Sequence, residues 1–70
     1  MSQDIRRETK FDALHKKYEA DIAIAKAELD NYFEVSVGVG EHPHIIEDMD
    51  KLLDNLTSAE EKLKALRDHF

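Results

Sequence analysis

Seventy residues, no cysteine, 37% charged side chains and a net charge of -6 define one small domain at most, with no disulfide or thiolate-zinc staple to support a small core. The acidic balance and the lack of a basic cluster argue against direct binding to nucleic-acid phosphates. No apolar run is long enough for a membrane span, and the charge-rich first thirty residues do not form a signal segment, so the expected setting is the cytoplasm.

The first predicted element is a helix over about 3–33. Ser2 is placed to cap it, and Asp4 sits against the positive end of the helix dipole. Its apolar stripe runs Phe11, Leu14, Tyr18, Ile22, Ala25, Leu29, Phe33, in steps of three and four that make an eleven-residue repeat, close to a straight helix. Ile5 falls off this stripe and Arg7 falls on it, so the turns before Thr9 are expected to fray. A strip of small residues, Ala13, Ala20 and Ala27 with Ile24, lies beside the stripe. Alanine there can be simple helix propensity. The strip is also the expected self-association face, together with Ile46, Leu53 and Leu56, because these residues otherwise leave apolar area uncovered.

A connecting segment over 34–42 follows. Val35, Val37 and Val39 alternate with Ser36 and Gly38, which reads as a short extended stretch, and Gly38 and Gly40 permit a chain reversal. The segment is longer than a minimal helix–helix connection, so the valines are expected to pack back over Phe33 and Ile45 or to meet a partner.

The second helix is predicted over 43–70, with Pro43 at its first position. Its stripe is a heptad: Ile45, Met49, Leu52, Leu56, Ala59, Leu63, Leu66, Phe70. Thr57-Ser58-Ala59-Glu60-Glu61 carries a capping-box signal that could start a separate helix. The heptad passes through it without an inserted residue, which favours one continuous helix over a bend at Asn55. The fold class is therefore all-α: an antiparallel two-helix hairpin in one domain, expected to dimerise into a four-helix bundle. The expected layers pair Phe33 with Ile45 or Ile46, Leu29 with Met49, Ala25 with Leu52 or Leu53, Ile22 with Leu56, Tyr18 with Ala59, Leu14 with Leu63 and Phe11 with Leu66.

Charge is unevenly spread. Between Glu28 and Asp54 lie eight acids (Glu28, Asp30, Glu34, Glu41, Glu47, Asp48, Asp50, Asp54) and one base, Lys51, so this stretch carries -7 and the remainder +1. A hairpin gathers that excess at its turn end. The partner-binding candidates are accordingly Tyr32, Val35, Val37, Val39, Glu41, His42, Glu47, Asp48 and Asp50, with Tyr32, one place off the stripe, as an exposed aromatic anchor. The expected partner is a protein with a basic surface.

His42, His44 and Glu47, with Glu41 and Asp48 nearby, are weak candidates for metal ligands, since imidazole and carboxylate at a spacing of three share a helix face. Acids at a helix start are equally explained by the dipole, and no cofactor is expected. No nucleophile–base grouping and no phosphate-cradling loop occur, and Gly38-Val39-Gly40 lacks the rest of a dinucleotide fingerprint. His15 and His69 are expected on solvated faces. The chain is read as a non-enzyme.

The run Tyr32-Phe33-Glu34-Val35-Ser36-Val37-Gly38-Val39-Gly40-Glu41-His42-Pro43-His44-Ile45-Ile46-Glu47, with the leucine-rich arm ending Leu63-Lys64-Ala65-Leu66-Arg67-Asp68-His69-Phe70, resembles small uncharacterised proteins of tailed marine bacteriophages, including those infecting cyanobacteria. The likeness spans Tyr32 to Phe70 and rests on the Gly38–Pro43 motif. It implies a host-cell or virion setting and no particular activity. The expected function is a non-catalytic protein–protein interaction module that meets a host factor through its acidic end. The alternatives are a minor virion or assembly component and, more remotely, a metal-binding module.

Overall fold

In the computed structural model, residues 3–34 and 44–70 are described, with side chains over 6–34 and 44–70. Two helices account for the described chain: α1, Gln3–Glu34, and α2, Ile45–His69. They pack along each other as a hairpin. Both glycines and the single proline fall between the two helices. Neither element therefore carries the residues that cost most inside a helix.

The hairpin is a rod of 59 × 16 × 13 Å. Its radius of gyration is 16.7 Å, against about 11 Å for a globular chain of this length. The core is correspondingly thin, and among the described residues Ala25, Leu29, Ala59, Leu63 and Leu66 form it. Ala25 and Ala59 are its most enclosed members, at 2% and 4% exposure. Their small side chains let the two backbones approach, and the leucines fill the adjoining layers.

α1 is helical from Gln3. Arg7 donates from Nη2 to the carbonyl oxygen of Phe70 at 3.0 Å, joining the two ends of the chain. α2 begins at Ile45, two residues later than expected, with His44 at the N-cap position and no side-chain cap. Pro43 lies outside the described residues. Glu47 and Asp48 in the first turn and Arg67 and His69 in the last complement the dipole of α2. At its far end the Phe70 amide donates to the Leu66 carbonyl at 3.0 Å.

α2 is continuous through Thr57 and Ser58. The Thr57 hydroxyl donates to the carbonyl of Asp54 at 3.2 Å. Turned back into the preceding helical turn in this way, it is satisfied without starting a new helix.

Surface ion pairs link Lys17 to Asp21 at 3.0 Å and Lys64 to Asp68. The hydrogen bond from Lys64 holds the Asp68 carboxyl below its ordinary 3.8; desolvation opposes this, and the charges of Lys64 and His69 add to it. A carboxyl whose folded value is lowered stabilises the fold above its unfolded value and loses that contribution as pH falls through the folded one. An NMR titration is expected to show Asp68 as a low-titrating carboxyl, moving back towards 3.8 in Lys64→Ala. An unchanged titration in that variant would contradict the assignment.

Candidate interaction surface

The cross-helix contacts give the rod two distinguishable sides. On one side, Arg67 Nη2 lies 3.3 Å from Nε2 of His15, whose Nδ1 is 3.2 Å from Glu19 and whose ring stacks on Phe11 at 6.1 Å. His15 is thus half-buried at the helix seam, not on a solvated face. His69 is exposed as expected, with its ring edge-on to Phe70. On the other side, the Tyr32 hydroxyl donates to Asp48 over a long 3.5 Å. Near the middle of the rod, the Lys62 ammonium lies 6.0 Å from the centre of the Tyr18 ring.

These contacts fall further along α2 than the expected layers. Tyr18 meets Lys62 where Ala59 was expected, and Tyr32, to which no cross-helix partner was assigned, meets Asp48. Ala25 shares one recess with both Leu52 and Ala59, which places it between them and not opposite Leu52 alone. The two rods pair as a hairpin, as expected.

The largest departure is at the turn end. Tyr32 is half-buried against α2, while Phe33 is 74% exposed and Ile46 69% exposed. The expected roles of Tyr32 as free anchor and Phe33 as core are therefore reversed. The cause is the eleven-residue spacing of the α1 stripe. Each step of four turns the side chain about 40° onward, so the two steps from Ala25 through Leu29 to Phe33 carry the aromatic off the contact line. Tyr32 then falls within about 20° of Ala25.

Rotation also divides the expected self-association set. Ile24, 56% exposed, shares a recess with Asn55, Ser58 and Lys62. Leu53, 46% exposed, and Ile46 lie on the opposite side: they precede Arg67 by two and three heptads and so follow its strip of α2. Ala13 and Ala20 are exposed on the outer surface of α1, turned away from the helix contact, while Ala27, also exposed, borders a recess with Ile22 and Leu63. These residues do not make one face. Leu56, half-buried, belongs at the edge of the Leu53 side.

The side marked by His15 and Arg67 does hold a coherent apolar strip. Phe33 follows His15 by 18 residues, about five whole turns, which returns it to the same side. Ile22 and Ala23 line a recess there with Lys26, Asp30 and Leu63. Phe33, Ile46 and Leu53 are exposed, and Ile22, Met49 and Leu56 half-buried. Phe33 and Met49 were assigned to the core from the sequence. The rotation of each step along the stripe was the signal that would have moved them outward.

Seven of the eight clustered acids lie in described helix: Glu28, Asp30 and Glu34 towards the end of α1, and Glu47, Asp48, Asp50 and Asp54 in the first turns of α2. Asp48 is half-buried beside Tyr32; Glu47 and Asp50 are exposed. α1 has no basic residue in its last turn, so Asp30 and Glu34 oppose the negative end of its dipole, at a cost of up to about 1 kcal/mol each. Those carboxylates are not explained by helix stability. Val35, Val37, Val39, Glu41 and His42 lie outside the described residues. His44 Nδ1 is 3.4 Å from Glu47. Among the described residues, no group of three or more potential metal donors comes together, and no helix is long and apolar enough to cross a membrane.

Comparison with protein-family models, with curated proteins and with solved structures finds no match for this chain.

Proposed function

We propose that this chain is a non-catalytic protein-interaction module that self-associates and presents its acidic turn end to a basic surface of another protein. The observation that carries this reading is the placement of Asp30 and Glu34 against the dipole of α1, beside Glu47 and Asp50 at the start of α2. Charge that costs the helix stability and stands exposed at one end of a rod is suited to steering and orienting a cationic partner. The likeness to marine phage proteins makes that partner a host factor encountered in the host cytoplasm.

Bait pull-down from host lysate tests the reading. The wild-type chain is expected to recover proteins that elute at about 0.5 M salt, where the screening length is only a few Å, and the double reversal Glu47→Lys, Asp50→Lys is expected to lose them. Equal recovery by the two baits would contradict it.

A second reading, a minor virion or assembly component, is favoured by the exposed Phe33, Ile46 and Leu53, which suit burial among neighbouring helices. Purified particles carrying the chain at a fixed copy number would select it. Metal binding is a more distant reading, since the candidate pair His44 and Glu47 needs further ligands.

A further inference from the structure

Toward the turn end, the side of the rod marked by His15 and Arg67 forms an apolar groove between the helices. Phe33 lines it from α1, and Ile46, Met49, Leu53 and Leu56 line it from α2. From Ile46 to Leu56 is about 15 Å, nearly three helical turns. Both rims are acidic. Counting two residues inward from the Tyr32–Asp48 contact sets Asp30 level with Asp50. At about 100° per residue, Asp30 lies about 60° outward of Phe33 and Asp50 about 40° outward of Ile46, so the two carboxylates flank the groove. Glu34 and Asp54 stand one turn on from each, further out, and all four acids are exposed.

These carboxylates are unlike the acids elsewhere on the rod. Asp21 and Asp68 are paired with lysines, and Glu19 and Glu47 with histidines. Among the described residues, none of the four rim acids is paired with a base; Lys26 borders the recess beside Ile22 without an ion pair to Asp30. Charge therefore selects the occupant. A second copy seated here, in either sense, sets its own Asp30, Glu34, Asp50 and Asp54 against these, and like charges brought together oppose association. A helix with an apolar stripe between two rows of lysine or arginine satisfies floor and rims together. Its stripe fills the groove, and its long cationic side chains reach over both edges.

We propose that the Phe33–Ile46–Leu53 groove is the docking site for a basic amphipathic helix of a partner protein, with cations on both flanks of that helix meeting Asp30 and Asp50. This rests on the reading of a module that meets a basic protein, and it specifies the element that the partner offers.

Fluorescence anisotropy on the full chain tests this with dye-labelled synthetic peptides of about 18 residues, long enough to form a helix on docking. The patterned peptide carries leucines at spacings of three and four with lysines on both flanks, and the scrambled peptide has the same composition without the stripe. The patterned peptide is expected to bind at least about tenfold more tightly. Leu53→Ser is expected to weaken it about tenfold, and Ile24→Ser, on the opposite side, under about threefold. Asp30→Asn with Asp50→Asn is expected to weaken it about tenfold. Glu28→Gln with Glu47→Gln removes the same charge from the same end but away from the rims, and is expected to cost under about threefold. Absence of binding at about 0.1 mM, equal binding of the two peptides, or equal effects of the groove variants and their controls would each overturn the proposal. So would light scattering that shows the chain alone as a dimer dispersed by Leu53→Ser, which gives the groove to a second copy. The lysate pull-down uses neither peptide, so failure of this site is told apart from failure of the acidic-end reading.

Discussion

Leu63→Ala is expected to cost about 3 kcal/mol, within the range for truncating a buried leucine. Leu63 is 8% exposed in a core to which the described residues contribute only five side chains. No adjacent layer can shift to fill the space, because on either side the rod is open to solvent. Small domains have little stability in reserve, so the loss is expected to bring the variant near or past its unfolding midpoint at 25 °C. Circular dichroism with urea titration reads this directly. Leu14, on the same kind of stripe but 41% exposed, provides the control, and L14A is expected to cost under half as much. Equal midpoints for the two variants would show that the helices do not meet as described.

Ser58→Pro is the second large effect, at about 3 kcal/mol. Ser58 is exposed, so the substitution acts through the backbone: it removes an amide donor from the interior of α2 and crowds the carbonyl one turn back. The same substitution would be harmless had the capping signal at Thr57 and Ser58 opened a separate helix, because proline suits a first helical turn. Loss of helicity together with a lowered midpoint is expected. A variant as stable as the wild type would mean that α2 is two helices joined near Asn55.

Most of the fold could be read from the order of residues, because two apolar stripes flank a segment that holds every glycine and the proline. The continuity of α2 followed from an unbroken heptad, and the Thr57 back-bond supplies its physical basis. The rotation of α1 near the turn was less legible. A stripe written as steps of three and four hides the angle that accumulates over consecutive steps of four, and it is that angle which exposes Phe33 and turns Tyr32 inward. The same omission merged Ile24 with Leu53 and Ile46, which lie on opposite sides of the rod. His15 looked solvated because its neighbours in sequence are lysines, whereas its partner Arg67 comes from the other helix. The gathering of carboxylates at one end needed only the hairpin itself and was legible from the start.

The antiparallel pairing of α1 and α2 underlies every statement about what this molecule displays. Paired spin labels at Lys10 and His69, both exposed near the open end, test it in the cysteine-free chain, diluted with unlabelled protein so that only distances within a chain are read. Helices in contact lie about 8–10 Å apart between axes, so a narrow distribution near roughly 20 Å is expected once the label arms are included. A distance on the order of 90 Å, the span of one unbroken helix between those positions at 1.5 Å per residue, would contradict the hairpin and every surface derived from it.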